Sequence, residues 1–306
     1  MKRIKKCVFL ILGVLFAVAG TLSAEPTHII VLHTNDMHGR ISADENLAGM
    51  AYIATAVADY REQFEHVLLL DAGDALHGRP ITDKLEGESA VLTMNRAGYN
   101  ALAPGNHDFN YGWERLVELT ETMEFDLLAA NVLKDGELLF SPYAVYETGG
   151  YSVGIFGLAT SDTYTSTHPK NVVGIDFADT VETSQRYVEI LRNTEGVDLV
   201  IALTHVGLDQ STAIAENVRG IDLIVDGHSH SLLPDGRRVG DTLIVQANEY
   251  TKYLGLVEIV LDNGVVSMDA QLIPAVEVKE RYQPDEAIVE MLDEFSQEIT
   301  RMLLGF

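Results

Sequence analysis

From Thr27 onward, short apolar runs alternate with stretches whose apolar residues recur every third or fourth position. HIIVLHTND (28–36) predicts a buried strand ending in polar residues, and LAGMAYIATAVADYREQF (47–64) a helix. HVLLLDAGD (66–74) reads as the next strand, and ESAVLTMNRAG (88–98) as a helix stopped by Gly98. ALAPGNHD (101–108) is a third strand with its loop, followed by a helix over YGWERLVELTETM (111–123). LLAANV (127–132) and YSVGIFGLAT (151–160) are strands, and DTVETSQRYVEILRNTEG (179–196) a helix with a threonine cap. VDLVIALTHVG (197–207) and IDLIVDGHSH (221–230) are strands flanking a short helix over 211–218. DTLIVQAN (241–248) and the long stretch 253–275 read as antiparallel, with a hairpin turn at Asp262-Asn263-Gly264.

Strand–helix alternation that gives way to hairpins predicts an α/β layered domain, parallel at its start and antiparallel at its end. In the last stretch, Ile288, Leu292, Phe295, Ile299 and Met302 fall on one helical stripe. That stripe suits packing on its own domain or, alternatively, a docking face.

The first residues do not share the pattern. MKRIKK is basic, CVFLILGVLFAVAG is apolar, and TLSAEP offers a cut after Ala24, with a second option near Val18-Ala19-Gly20. This predicts a secretory signal peptide over residues 1–24. The apolar run is shorter than the roughly 20 residues a spanning helix needs, so no stable membrane span is expected after cleavage. The single cysteine, Cys7, lies inside this leader. A mature chain would have no disulfide and no thiolate ligand, which suits a periplasmic or secreted bacterial protein with a core large enough to fold without them.

The 306 residues are 47% hydrophobic and 22% charged, with a net charge of −25. Losing Lys2, Arg3, Lys5 and Lys6 with the leader would make it more negative still. Such a surface excludes a nucleic-acid grip and repels phosphate at long range. A phosphate-bearing ligand would need a local positive source.

The strand ends supply a candidate. Polar residues gather where the apolar runs stop: Asp36 and His38, Asp74, Asn106 with His107 and Asp108, His205, then His228 and His230. In an open α/β sheet, ligands bind beyond the carboxyl ends of the strands, so parallel neighbours would bring these loops to one edge. Oxygen and imidazole donors without sulfur suit Zn, Mn, Fe or Ni. One ion would leave several donors unused, whereas two ions ~3.5–4 Å apart, bridged by a carboxylate, would use them all. The other histidines, His28, His33, His66, His77 and His168, are read as surface, capping or supporting residues.

Asp36-x-His38, Gly73-Asp74-x-x-x-Gly78, Gly105-Asn106-His107-Asp108, Thr204-His205-x-Gly207 and Gly227-His228-x-His230 together resemble the calcineurin-like metallophosphoesterases. LHTNDMHG and GNHDFNYG resemble the exported branch of 5′-nucleotidases, UDP-sugar hydrolases and 2′,3′-cyclic-nucleotide phosphodiesterases. The resemblance spans about residues 27–275. It implies a four-layer α-β-β-α sandwich of two mixed sheets, with residues 25–280 as catalytic domain and 281–306 as a C-terminal helix toward an inter-domain linker.

It also implies one divalent ion held by Asp36, His38, Asp74 and His230, and a second by Asp74, Asn106, His205 and His228. His107 would face the scissile phosphate while a metal-activated hydroxide attacks phosphorus in line. Asn110 stands where nucleotidases of the family commonly carry an Asp to orient this histidine, which turns the expectation partly toward diesters; Asp108 is an alternative charge partner. The implied activity is hydrolysis of nucleotide phosphoesters, with a cyclic-nucleotide or other phosphodiesterase as one alternative. A metal- or partner-binding protein without turnover is the alternative of another class. Full-length relatives carry a C-terminal domain that stacks the base and supplies arginines. This sequence stops where that domain would begin, so the expectation is a fragment or a catalytic domain alone, completed by a separate domain or chain.

Overall fold

The computed structural model describes residues 26–262 and 264–305. The leader reading of residues 1–24 and the Asn263 of the hairpin turn lie outside them. Two six-stranded sheets dominate. The first runs, edge to edge, Val265–Pro274, Tyr253–Leu261, Thr27–Thr34, Val67–Asp71, Ala101–Leu102 and Asp126–Leu127. Its last four strands are parallel, and the 253–274 hairpin is antiparallel. The second runs Arg237–Val239, Thr242–Val245, Leu223–Asp226, Leu199–His205, Tyr151–Ala159 and Tyr143–Thr148, parallel through its central four strands.

The period-two alternation of the strands sorts the layers. Ile29, Val31, Leu68 and Leu70 meet Ile201, Leu203, Leu223 and Val225 in a buried cluster between the sheets. Their neighbours Ile30, Leu32 and Leu69 point the other way, onto Ile53, Val57, Val91 and Met94 of the helices Gly49–Gln63 and Glu88–Ala97. Val200, Ala202 and Ile224 cover the far side of the second sheet with Tyr187, Val188 and Ile214. The result is the expected helix–sheet–sheet–helix sandwich.

Several local readings change. Thr242–Val245 pairs parallel with Leu223–Asp226, not antiparallel as its sequence suggested; only its other edge, with Arg237–Val239, is antiparallel. The stretch expected as one helix from residue 111 begins as a tight 3-10 turn, His107–Tyr111, and the α-helix runs Trp113–Thr120. Gly112 separates the two at φ +96°, a conformation that stops helix propagation. The cap of Thr180–Ile190 is Asp179, whose carboxylate accepts the Glu182 N–H at 2.9 Å, rather than a threonine. The short helix spans Leu208–Asn217. At the far end, Ala275–Arg281 and Glu286–Leu304 are helical, and Val278, Ile288 and Ile299 are buried. The stripe therefore packs on its own domain through Ile288, Leu292 and Ile299, while Met302 at its end is 52% exposed. Asp285 caps this helix and pairs with Arg96 at 2.8 Å.

His33 is a core residue rather than a surface one. It is buried opposite Gly255, where an added side-chain carbon would sit 2.1 Å from its Nε2. Its Nδ1 has no hydrogen-bond partner, and burial pushes its pKa from the ordinary 6.5 to about 3. The unfolded chain takes up a proton here below about pH 6.5 that the folded chain refuses until about pH 3. Stability should therefore fall by about 1.4 kcal/mol per pH unit across that window. Melting temperature of His33→Leu is expected to fall less steeply than wild type between these pH values; parallel curves would remove His33 as the cause.

Candidate metal centre

The polar residues arrive from both sheets at one edge. Thr27–Thr34 delivers Asp36 and His38, Val67–Asp71 delivers Asp74, and Ala101–Leu102 delivers Asn106 and His107. From the second sheet, Leu199–His205 ends on His205 and Leu223–Asp226 leads to His228 and His230. Five of these residues turn through the left-handed region: Asp36 (φ 53°), His38 (47°), Asp74 (57°), His228 (74°) and His230 (51°). Each such turn costs of order 1 kcal/mol or more in a non-glycine residue, and such strain clusters at functional sites. Backbones also close in tightly here: a Cβ at Gly105 would stand 2.2 Å from Asp74 Oδ1.

Three donor groups result, with ligand atoms within 4.8 Å of one another: Asp36 with His38 and His230, His38 with Asp74 and His107, and Asp36 with Asp74 and His205. His230 Nε2 lies 3.2 Å from Asp36 Oδ1, and His205 Nε2 lies 3.3 Å from Asp74 Oδ2. His38 Nε2 is 3.7 Å from Asp74 Oδ2 and 3.8 Å from Asp36 Oδ1.

Outer partners set the lone pairs. His205 Nδ1–H donates to the Ala72 carbonyl at 2.6 Å, leaving Nε2 as the inward lone pair. His230 Nδ1–H faces the Glu249 carboxylate at 2.6 Å, which leaves its Nε2 inward as well. His228 belongs to none of the three groups. Its backbone N–H donates to Asp36 Oδ2 at 3.0 Å, its ring stands edge-on to His205 at 5.2 Å, and Nε2–H donates to Asp162 at 3.1 Å, so Nδ1 is its free lone pair.

These residues fit a metal. Asn106 Oδ1 and His205 Nε2 are buried without a hydrogen-bond partner beside two buried carboxylates, and an unsatisfied buried polar atom is costly unless something else meets it. The charge balance agrees. Burial opposes an imidazolium at His205, yet Asp74 and Asp36 hold its pKa up at about 10. Without a cation between them, these carboxylates would be balanced by a proton on His205; with one, the same lone pairs become ligands.

The two remaining motif residues differ in place. His107 sits at the rim, half-buried, its ring edge-on to His38 at 5.2 Å and its backbone N–H donating to Asp74 Oδ1 at 2.7 Å. Asn110 Nδ2 donates to His107 Nδ1 at 2.9 Å. Asp108 does not reach that ring. Its carboxylate accepts the backbone N–H groups of Asp74, Gly105 and Leu76 at 2.8, 2.8 and 2.9 Å, pinning two of the strand-end loops together.

Sequence reasoning missed Glu249, Asp162 and Tyr250, and left His77 among the bland histidines. Tyr250 lies edge-on to His38 and His230 and carries the Arg40 guanidinium 3.4 Å above its ring. The signal was available: Asp162 follows Tyr151–Ala159 and Glu249 follows Thr242–Val245, both parallel strands of the second sheet. Carboxylates behind ligating histidines typically carry a 10–100-fold share of metal affinity. Glu249→Ala is expected to weaken metal binding by that order in a chelator competition; unchanged affinity would remove it from this role.

The sequence profile of the calcineurin-like phosphoesterases matches residues 29–232, a span that holds all seven candidate ligands. The 5′-nucleotidase of Bos taurus is 34% identical over 280 residues, covering 78% of this chain and 48% of the relative. That of Vibrio cholerae is 32% identical over 308 residues, covering 89% and 56%. The trifunctional nucleotide phosphoesterase protein YfkN of Bacillus subtilis is 32% identical over 311 residues, covering 89% and 21%. The chain thus spans about half the length of the two nucleotidases. Among solved structures, the 5′-nucleotidase precursor of Thermus thermophilus superposes with a TM-score of 0.79 at 28% identity, over 90% of this chain and 60% of that one. The donors converge where the profile matches, on the sandwich that profile and solved relative share, and the chain belongs to the calcineurin-like phosphoesterase family.

Proposed function

We propose that this chain hydrolyses phosphate esters of nucleotides with two divalent cations, one on Asp36, His38, Asp74 and His230 and the other on Asp74, Asn106, His205 and His228. One observation carries this reading: the buried, unpartnered Asn106 Oδ1 and His205 Nε2 face two buried carboxylates, with the His107 ring standing at the rim. When bound, the cations would make a water acidic and neutralise phosphate charge, the local positive source that an acidic chain otherwise lacks.

The chain's own groups do the rest. Asp74 fixes the His107 backbone, and the Asn110 side chain meets its Nδ1; with the amide NH₂ donating there, the ring proton sits on Nε2. That N–H is a fixed donor for a phosphate oxygen or the leaving oxygen as charge develops. Asn110 also supports a second reading, a cyclic or other diester substrate, because a neutral amide stands where the resemblance places a carboxylate in nucleotidases of the family. A leader-like pattern over residues 1–24 and the acidic, thiol-free remainder of the sequence support export to the periplasm or beyond. No helix among the described residues is long and apolar enough to cross a membrane. The C-terminal domain of longer relatives, or a separate chain, would supply the base contacts.

The deciding experiment is phosphate release by the purified chain loaded with Mn²⁺. The substrates are 5′-AMP, 2′,3′-cyclic AMP coupled to a phosphatase, and bis-p-nitrophenyl phosphate, each with a chelated control. Chelator-sensitive turnover of 5′-AMP supports the first reading, and turnover of the cyclic ester alone supports the second. Turnover of the aryl diester alone would mark a competent centre without its specificity domain. No turnover by a fully metallated chain would overturn both.

A further inference from the structure

His77 stands outside the ligand set, three residues past Asp74, yet its ring lies parallel to that of His107, with centroids 5.8 Å apart and planes 9° apart. Between them sits one amide. Asn110 Nδ2 is 2.9 Å from His107 Nδ1 and 3.0 Å from His77 Nδ1. An amide nitrogen has two hydrogens and no lone pair to offer, so one hydrogen meets each ring and both Nδ1 atoms must be acceptors. Asn110 is also held at its backbone, where its carbonyl accepts the Asn171 side-chain N–H at 2.7 Å.

Hydrogen bonds around the amide do not by themselves choose this arrangement. A flipped Asn110 would present its oxygen to two Nδ1–H groups and be equally satisfied. The choice is made one step further out. His77 Nε2 lies 3.7 Å from Asp83 Oδ1, and that oxygen is anchored by the Gly78 N–H at 2.8 Å and the Tyr111 hydroxyl at 2.9 Å. A carboxylate beside Nε2 favours the tautomer that carries its proton there. His77 Nδ1 is then a lone pair, Asn110 must turn its NH₂ edge toward it, and His107 Nδ1 receives the second hydrogen.

We propose that His77 is a positioning residue: with Asp83 behind it, it fixes the Asn110 amide and so keeps the His107 proton on Nε2, toward the reacting phosphate. The relay Asp83–His77–Asn110–His107 specifies where one proton sits, and no proton travels along it. It replaces, with a carboxylate held at a distance, the direct Asp that the resemblance implies for nucleotidases of the family where this chain has Asn110. The kinetic part of this inference rests on the phosphoester reading; the proton position does not.

Two substitutions separate the ring from the acceptor. His77→Phe keeps a flat ring against His107 and removes Nδ1. His77→Asn removes the ring but places an amide oxygen where Nδ1 stands. Histidine ¹⁵N spectra of the Zn²⁺-loaded chain should show His107 unprotonated at Nδ1 in wild type and in His77→Asn, and a mixture of tautomers in His77→Phe. With the best phosphoester of the substrate panel, His77→Phe should lose about tenfold in kcat, the order expected for one hydrogen bond, with little change in KM. His77→Asn should recover most of that loss. A wild-type His107 protonated at Nδ1 overturns the inference, as do equal kcat values for the two variants. If wild type turns over no phosphoester, the function reading fails, and the spectra alone decide the relay.

Discussion

Replacing His107 by alanine is expected to lower turnover by ~10²–10³-fold, the usual loss when a fixed donor to a developing charge is removed. Metal content should not change. His107 reaches the ligand cluster through its backbone N–H, which donates to Asp74 Oδ1 and survives the substitution. Its side chain is held by Asn110 and stands edge-on to His38, so its removal leaves the inward lone pairs of His205 and His230 where they are. The measurement is steady-state kinetics beside metal analysis of the same preparation. Turnover and metal lost together would make His107 a ligand. Unchanged turnover would remove it from the reaction.

Asp74→Asn should do the opposite, emptying the centre first. Asp74 is buried, and its Oδ2 is 3.3 Å from His205 and 3.7 Å from His38, the two sides of the cluster. Burial would raise its pKa, but His205, His38 and His107 outweigh burial and hold the carboxyl well below the ordinary range. A neutral amide keeps the shape and forfeits the charge that both proposed ions share. A 100-fold weaker affinity removes about 2.7 kcal/mol of ligand-linked stability at saturating metal. For a domain of this size that is about 5 °C in melting temperature. Metal stoichiometry and Tm should fall together, with the Tm gap closing when wild type and variant are both stripped by chelator. If neither falls, Asp74 bridges nothing.

The two substitutions also separate the classes of function. A protein that only stored metal would feel Asp74→Asn and be indifferent to His107→Ala. The position of His107 argues for chemistry: it adds to one donor group but lies at the rim, its Nδ1 2.9 Å from the Asn110 amide.

Much of the site is legible in the order of residues alone. Strand-length apolar runs that stop in Asp, His or Asn identify both the elements and the edge where they meet, because a buried strand cannot continue into charged side chains. The candidates Asp36, His38, Asp74, Asn106, His205, His228 and His230 all follow from that rule. Applied without exception it also points at Asp162 and Glu249, which follow Tyr151–Ala159 and Thr242–Val245, strands parallel to their neighbours in the second sheet. The rule fails for Asp108, since adjacency in the chain says nothing of direction: beyond His107 the backbone enters a 3-10 turn, and the carboxylate swings to three backbone amides instead of the imidazole. It fails for Thr242–Val245 because an isolated four-residue strand carries no mark of its partner's direction.

The period of each element, the layer each residue enters, the donor chemistry of the site and its want of thiolates are local properties, written in hydrophobic alternation and in residue type. What required two distant segments at once came from tertiary packing. It joined Thr27–Thr34 to the sheet of Val67–Asp71 and Leu199–His205 to that of Leu223–Asp226, then faced the sheets so that Asp74 and His205, far apart in the chain, stand 3.3 Å from each other. It also chose the left-handed turns at the candidate ligands and the hydrogen-bond partners behind their rings, down to the stacked His77. Those depend on which carbonyl, carboxylate or amide lies behind each ring, and packing alone puts it there.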